Sequence, residues 1–226
     1  MAASNLTIIF LTANRVPKQW AQFHKQKLLE AANGLPIITI SREPLDWGIN
    51  VLQTEKHGPS NVYWQMLKGA KLATTEFIAV AEDDTLYPKE HFAYRPAPDV
   101  FAYNRNKFGV FTWGTPTYYW KDRIKNSTLI ASRKLTIEAL KERFTRYPNG
   151  TPQHLTGEIG RSVVENNLGL TRRNIVWFDT ELSIVSVDHE YGIDHLGRTH
   201  RKALGGLRAY DIPYWGKAED IVKKFV

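Results

Sequence analysis

Short apolar, β-branched runs exchange with amphipathic stretches from residue 6 to residue 81, and this order constrains the fold more than any other feature of the chain. Leu6–Ala13 reads as a strand. Pro17–Ala32 reads as a helix, with Trp20, Phe23, Leu28 and Ala31 at three- and four-residue spacing and Asn33-Gly34 as its stop. Pro36–Ile40 is a second strand. Residues 42–59 carry Pro44, Gly48, Gly58 and Pro59, which predicts a loop with a short strand at Ile49–Leu52. Ser60 is placed as the N-cap of a helix over Asn61–Ala73, and Phe77–Ala81 is a third strand. Such an alternation predicts a mostly parallel sheet between two layers of helices, an α/β/α Rossmann-like architecture. Ligands bind such sheets beyond the carboxyl ends of the strands.

At that edge the third strand ends on three acids. The stretch FIAVAEDDTLYP runs from a buried-looking strand into Glu82, Asp83 and Asp84, and Pro88 follows. Adjacent carboxylates repel unless a positive charge sits among them. A divalent cation, Mn2+ or Mg2+, supplies one, and it commonly fills its shell with substrate phosphates.

The second half is less regular. Strands are expected at Phe108–Trp113, Leu129–Ser132, Ile175–Phe178 and Leu182–Val187, with an aromatic loop at Thr115–Asp122. Helices are expected at Leu135–Arg143 and Gly157–Asn166. From Asp188 the chain turns polar and glycine-rich, and a mobile C-terminal segment is expected there.

Composition narrows the chemistry. The 226 residues include no cysteine, so disulfides and thiolate catalysis are excluded. No apolar run reaches membrane-spanning length, and the N-terminus lacks the basic start of a secretory signal; both favour the cytosol of a bacterium or a phage-infected host. Thirty Lys and Arg against 23 Asp and Glu leave a net charge of +7, which points to an anionic partner.

The segment NVYWQMLKGAKLATTEFIAVAEDDTLYP (61–88) resembles the stretch through the acidic motif of GT-A glycosyltransferases, family 2-like in particular. Gly69, Ala73, Glu76, the FIAVA strand and EDD carry the likeness. It covers residues 5–90 well and 105–190 loosely. The resemblance implies one GT-A domain over 1–226: a nucleotide-sugar-binding half (1–104), an acceptor half (105–190) and a C-terminal lid (191–226). It implies that Asp84 binds the metal and that Asp83 and Glu82 meet the ribose or donor sugar. Thr12, Asn14 and Arg15 would hold base and ribose, with Arg42 and Gln65 in the same pocket. The family's base-binding aspartate after strand two is replaced here by Ser41, Arg42 and Glu43.

The same likeness places a catalytic base in LTGEIGRSVVENNLGL (155–170), where the usual Glu-Asp pair reads Glu158-Ile159 and Glu158 is the candidate. A histidine after a late strand would complete the metal shell, and His189 fits before His195 or His200. Arg201 and Lys202 would close over the diphosphate. Trp113, Tyr118 and Tyr119 would meet the acceptor.

The implied reaction moves a hexose or pentose from a nucleotide-diphosphate sugar, UDP-sugar foremost, to an acceptor hydroxyl with inversion. A hydroxymethylated base in phage DNA and a polysaccharide intermediate are the two acceptors considered. A nucleotidyltransferase on the same sheet would need a glycine-rich loop after strand one, which TANRVPK lacks. A non-catalytic nucleic-acid-binding module would place acids where phosphates approach.

Overall fold

The structure, a computed structural model, describes residues 5–120, 123–190 and 207–226. Its centre is a seven-stranded sheet built from β1 (Leu6–Leu11), β2 (Ile37–Ser41), β3 (Ile49–Leu52), β4 (Phe77–Glu82), β6 (Val100–Asn104), β9 (Leu129–Ser132) and β10 (Asn174–Phe178). The spatial order is β10-β6-β9-β4-β1-β2-β3. Six strands run the same way, and β9 runs against both its neighbours.

Strand β1 shows why helices cover both faces. Leu6, Ile8 and Phe10 point into a cluster with Leu28, Ala31 and Ala32 of α1 (Lys18–Ala32). Ile9 and Leu11 point the other way, against Tyr63, Met66, Leu67 and Ala70 of α2 (Asn61–Leu72). Period-two alternation thus feeds two cores, and α3 (Arg133–Arg146) packs beside α2 on the second face. A Cβ on Gly69 would lie 2.4 Å from Ile9 Cγ2, so only glycine lets α2 approach β1 this closely.

A second, five-stranded sheet joins β5 (Thr85–Leu86), β7 (Lys107–Phe111), β8 (Tyr118–Trp120), β11 (Ile184–Asp188) and β12 (Arg208–Ala209) in the order β12-β8-β7-β11-β5. The chain passes from the first sheet to the second through Asp83 and Asp84, the two residues between β4 and β5.

Several expectations about local structure are corrected. Ser60 does not cap α2 with its side chain; its Oγ accepts from the Thr151 amide at 2.9 Å and ties the helix start to another loop. The aromatic loop holds strand β8, which pairs antiparallel with β7. The helix expected from Gly157 begins only at Ser162 (α4, Ser162–Leu168), because Gly160 sits at φ 84° with no room for a side chain beside Ile175.

In the expected C-terminal lid, residues 191–206 lie outside the described residues. The rest packs down: a small hairpin, β13 (Asp211–Ile212) with β14 (Gly216–Lys217), leads into helix α5 (Ala218–Phe225). Ala218, Ile221, Val222 and Phe225 are buried against Trp20 and the second sheet.

Candidate active site

The sheet order places a crevice between β1 and β4. From β1 the chain moves through α1 to β2 on one side, and from β3 it returns through α2 to β4 on the other. That reversal is a topological switch point, where side chains from both strand ends surround an open space. The pocket there is lined by Thr12 and Arg15 after β1, Asn61 and Gln65 of α2, the three acids after β4, and His189 after β11, with His57 at the mouth.

Backbone and side-chain bonds fix the acids. Thr12 Oγ1 donates to Asp83 Oδ2 at 2.5 Å and accepts from the Asn14 amide at 2.9 Å. Trp20 Nε1 donates to the Asp83 carbonyl at 2.7 Å. The Val187 amide donates to the Asp84 carbonyl at 2.8 Å, which hooks the end of β11 onto the acidic turn. Thr85 Oγ1 donates to Asp84 Oδ1 at 2.8 Å. Asp84 Oδ2 is left facing His189 Nε2 at 4.0 Å.

Negative charge is concentrated here. Burial and then the Asp84 charge push the Asp83 carboxyl up to about 7. The same two causes, in the same order, push Glu82 up, with Lys125 acting against them. Lys125 also stands 4.0 Å from Asp188 Oδ1, and the Tyr119 hydroxyl donates to Asp188 Oδ2. Lys125 and His57 carry no signal in the sequence that ties them to this site. The position of Asp188 directly before His189 was the available signal.

Asn14 and Arg42 stand elsewhere, and Arg15 lies at the mouth. Asn14, at φ 56°, turns its side chain toward the β2 loop, where Oδ1 accepts from the Arg42 and Glu43 amides at 2.8 and 3.1 Å. Arg42 stands behind the pocket wall and donates to the Glu55 carbonyl at 2.7 Å. Arg15 reaches His57 Nδ1 at 2.9 Å on the open side. Arg201 and Lys202, with His195 and His200, lie outside the described residues.

Tyr118 and Tyr119 are corrected as acceptor contacts. Both are buried in β8: Tyr118 joins the core under α5, and Tyr119 stacks on Phe111 with its hydroxyl spent on Asp188. Trp113, half-buried beside Phe111, stays accessible.

Glu158 lies in the loop before α4, not at the start of a helix. Three buried groups hold that loop. Arg143 Nη1 donates to the Gly157 carbonyl at 3.0 Å, Tyr103 Oη to the Ile159 carbonyl at 2.7 Å, and the Gly160 amide to Glu165 Oε1 at 2.9 Å. Glu158 pairs with Arg161 at 3.1 Å, and its charge is near enough to Glu82 to help raise that carboxyl.

No protein-family model and no curated protein matches the sequence. Among solved structures the chain is similar to a glycosyltransferase involved in the glycosylation of the major capsid of PBCV-1. The TM-score is 0.50 at 13% identity, over 80% of this chain and 91% of that one. It is also similar to HddC from Yersinia pseudotuberculosis, with TM-score 0.48 at 11% identity over 80% of this chain and 92% of that one. Likeness at this identity is likeness of fold. The chain has a Rossmann-like GT-A fold.

Proposed function

We propose that the chain is a glycosyltransferase that moves a hexosyl or pentosyl group from a nucleotide-diphosphate sugar, UDP-sugar foremost, to an acceptor hydroxyl with inversion. One observation carries this reading. Asp84 and His189 face each other at 4.0 Å inside a switch-point pocket whose other walls are Thr12, Arg15 and Gln65. The fold shared with a structure named as a glycosyltransferase supports it.

The donor set fits Mn2+ or Mg2+. Bonds of about 2.1 Å to one ion leave its ligand atoms roughly 3 to 4 Å apart, so a carboxylate and an imidazole at this separation suit a shared cation. Among the described residues no three acidic or histidine side chains form a cage, so the remaining positions would be filled by diphosphate and water. When bound, the ion offsets the charge that builds on the departing diphosphate.

The protein's own side chains do the rest. Thr12 and Asp83 present a hydroxyl and a carboxylate to the ribose side. Arg15 at the mouth adds a cation for phosphate. Glu158, held in its rigid loop, takes the proton of the acceptor hydroxyl. The net charge of +7 supports an anionic acceptor; a hydroxymethylated base in DNA is one, and a polysaccharide intermediate is the other class considered. Among the described residues no helix is long and apolar enough to cross a membrane.

A nucleotidyltransferase would bind phosphates on free amides after β1. That turn has no glycine, and the Asn14 amide is already bonded to Thr12. The test is thermal unfolding with UDP and Mn2+, with and without EDTA, together with hydrolysis of UDP-sugars. A shift that needs both UDP and metal is the expected result. Salt-sensitive DNA binding that ignores metal, with no nucleotide effect, would overturn the reading.

A further inference from the structure

The terminal helix reaches the pocket through one side chain. Phe225 is 2% exposed, and its ring centroid lies 5.0 Å from Trp20 and 4.8 Å from His189. Trp20 is the residue whose indole holds the Asp83 carbonyl. His189 is the residue whose Nε2 faces Asp84. One ring therefore braces supports on both sides of the acidic turn. Burying the helix alone does not call for this. Ala218, Ile221 and Val222 already seat α5 on the second sheet.

Geometry at His189 gives the contact its importance. The residue follows the last position of β11, so sheet pairing fixes the backbone up to Asp188 and not beyond. An imidazole at a strand end keeps several rotamers unless its neighbours select one, and ordering it costs free energy at the moment of binding. The Phe225 ring, tilted 33° to the imidazole, forms a wall against which the orientation toward Asp84 is held in advance. Groups that orient a metal-binding histidine without touching the metal commonly govern affinity.

We propose that Phe225 is a positioning residue: helix α5 pre-sets His189, and through Trp20 the acidic turn, for a divalent cation bound with a nucleotide diphosphate. This rests on the function proposed above. It concerns the terminal helix, whose residues are not among the described residues that line the pocket.

The experiment is calorimetric titration of the full chain with UDP in Mn2+ and again in EDTA, read as the ratio of the two affinities. A merely structural loss lowers both affinities together and leaves the ratio unchanged. Phe225→Ala is expected to lower the ratio about 10-fold, and Phe225→Tyr to preserve most of it. Val222→Ala, on the same buried face but without a ring contact, should lower the melting temperature and leave the ratio alone. In a His189→Ala background, Phe225→Ala should change the ratio less than it does in the unaltered protein, because only the route through Trp20 remains. An unchanged ratio in folded Phe225→Ala, or an equal fall in Val222→Ala, overturns the proposal while the functional reading stands. Failure of the unaltered protein to bind UDP more tightly with Mn2+ than with EDTA overturns both.

Discussion

Thr12 and Asp83 share a hydrogen bond of 2.5 Å across the seam where β1 and β4 lie side by side. The same hydroxyl accepts from the Asn14 amide, so one side chain shapes the turn after β1 and orients an acid after β4. Thr12→Val keeps the shape and removes both bonds. Leaving a buried acceptor without its donor costs about 1–3 kcal/mol of folding stability, and with Asp83 no longer oriented by Thr12 UDP affinity in Mn2+ should fall as well, while Thr12→Ser stays near the unaltered value in both. Calorimetric titration decides; a Thr12→Val protein that binds like the original would remove Thr12 from the site.

Asp84 acts through two parts that mutation can separate. Its carbonyl holds Val187, and its carboxylate faces His189. Asp84→Ala spares the first. The altered protein should therefore fold, lose the Mn2+-dependent thermal shift with UDP, and lose turnover by about 100-fold or more. Full activity in Asp84→Ala would refute the metal assignment.

Glu158 is tested by separating turnover from binding. Glu158→Gln keeps the loop bonds from Arg143, Tyr103 and Glu165, because none involves its carboxylate. Turnover should drop about 10²- to 10⁴-fold, with UDP affinity unchanged. Equal loss of both would assign Glu158 to donor binding.

Gly69→Ala puts a methyl 2.4 Å from Ile9 Cγ2, where a core side chain on a central strand has little room to retreat. Overpacking of this kind costs about 1–3 kcal/mol, read as a lower denaturation midpoint in urea. Gly69→Ala should cost less in an Ile9→Ala background, which removes Cγ2, than in the original protein, and that difference would trace the loss to this contact.

His91 supplies a pH dependence of stability. Burial pushes its imidazole down from 6.5 to about 3, among Tyr87, Phe92 and Phe178. Above 6.5 the ring is neutral both folded and unfolded and adds no pH dependence. Below 6.5 the unfolded chain takes up a proton that the folded protein refuses, so stability is lost as pH falls toward 3. His91→Phe removes this linkage. The stability of the original protein relative to His91→Phe should decline by up to about 1.4 kcal/mol per pH unit within that window. A constant difference from pH 7 to pH 4 would refute the buried neutral ring.

Some elements are written locally and still masked by their neighbours. The AEDIVKKF stretch (218–225) carries apolar residues at the spacing of a buried helical face, yet its charges draw attention first. Strand β6 (Val100–Asn104) follows a proline-rich approach that masks it, although it lies inside the sheet between β9 and β10. The late start of α4 depends on Gly160 facing Ile175 and Phe101, which no local pattern reveals.

The sequence by itself determined the alternation of strands and helices up to β4, the bounds of β3 and β9, and the acids at a strand end. Each is written in a window of a few residues, because backbone propensity and the period of apolar side chains act locally. Only the tertiary structure decided that Asp84 meets His189, that Asn14 and Arg42 turn away from the pocket, and that Tyr118 and Tyr119 are core. The meeting of Asp84 with His189 and the burial of the two tyrosines follow from the antiparallel pairing of β5 with β11 and of β7 with β8; Asn14 and Arg42 turn because the loops after β1, β2 and β3 bond to one another. The β5–β11 pairing joins positions about a hundred residues apart, and its register comes from how two sheets and a terminal helix fill one core.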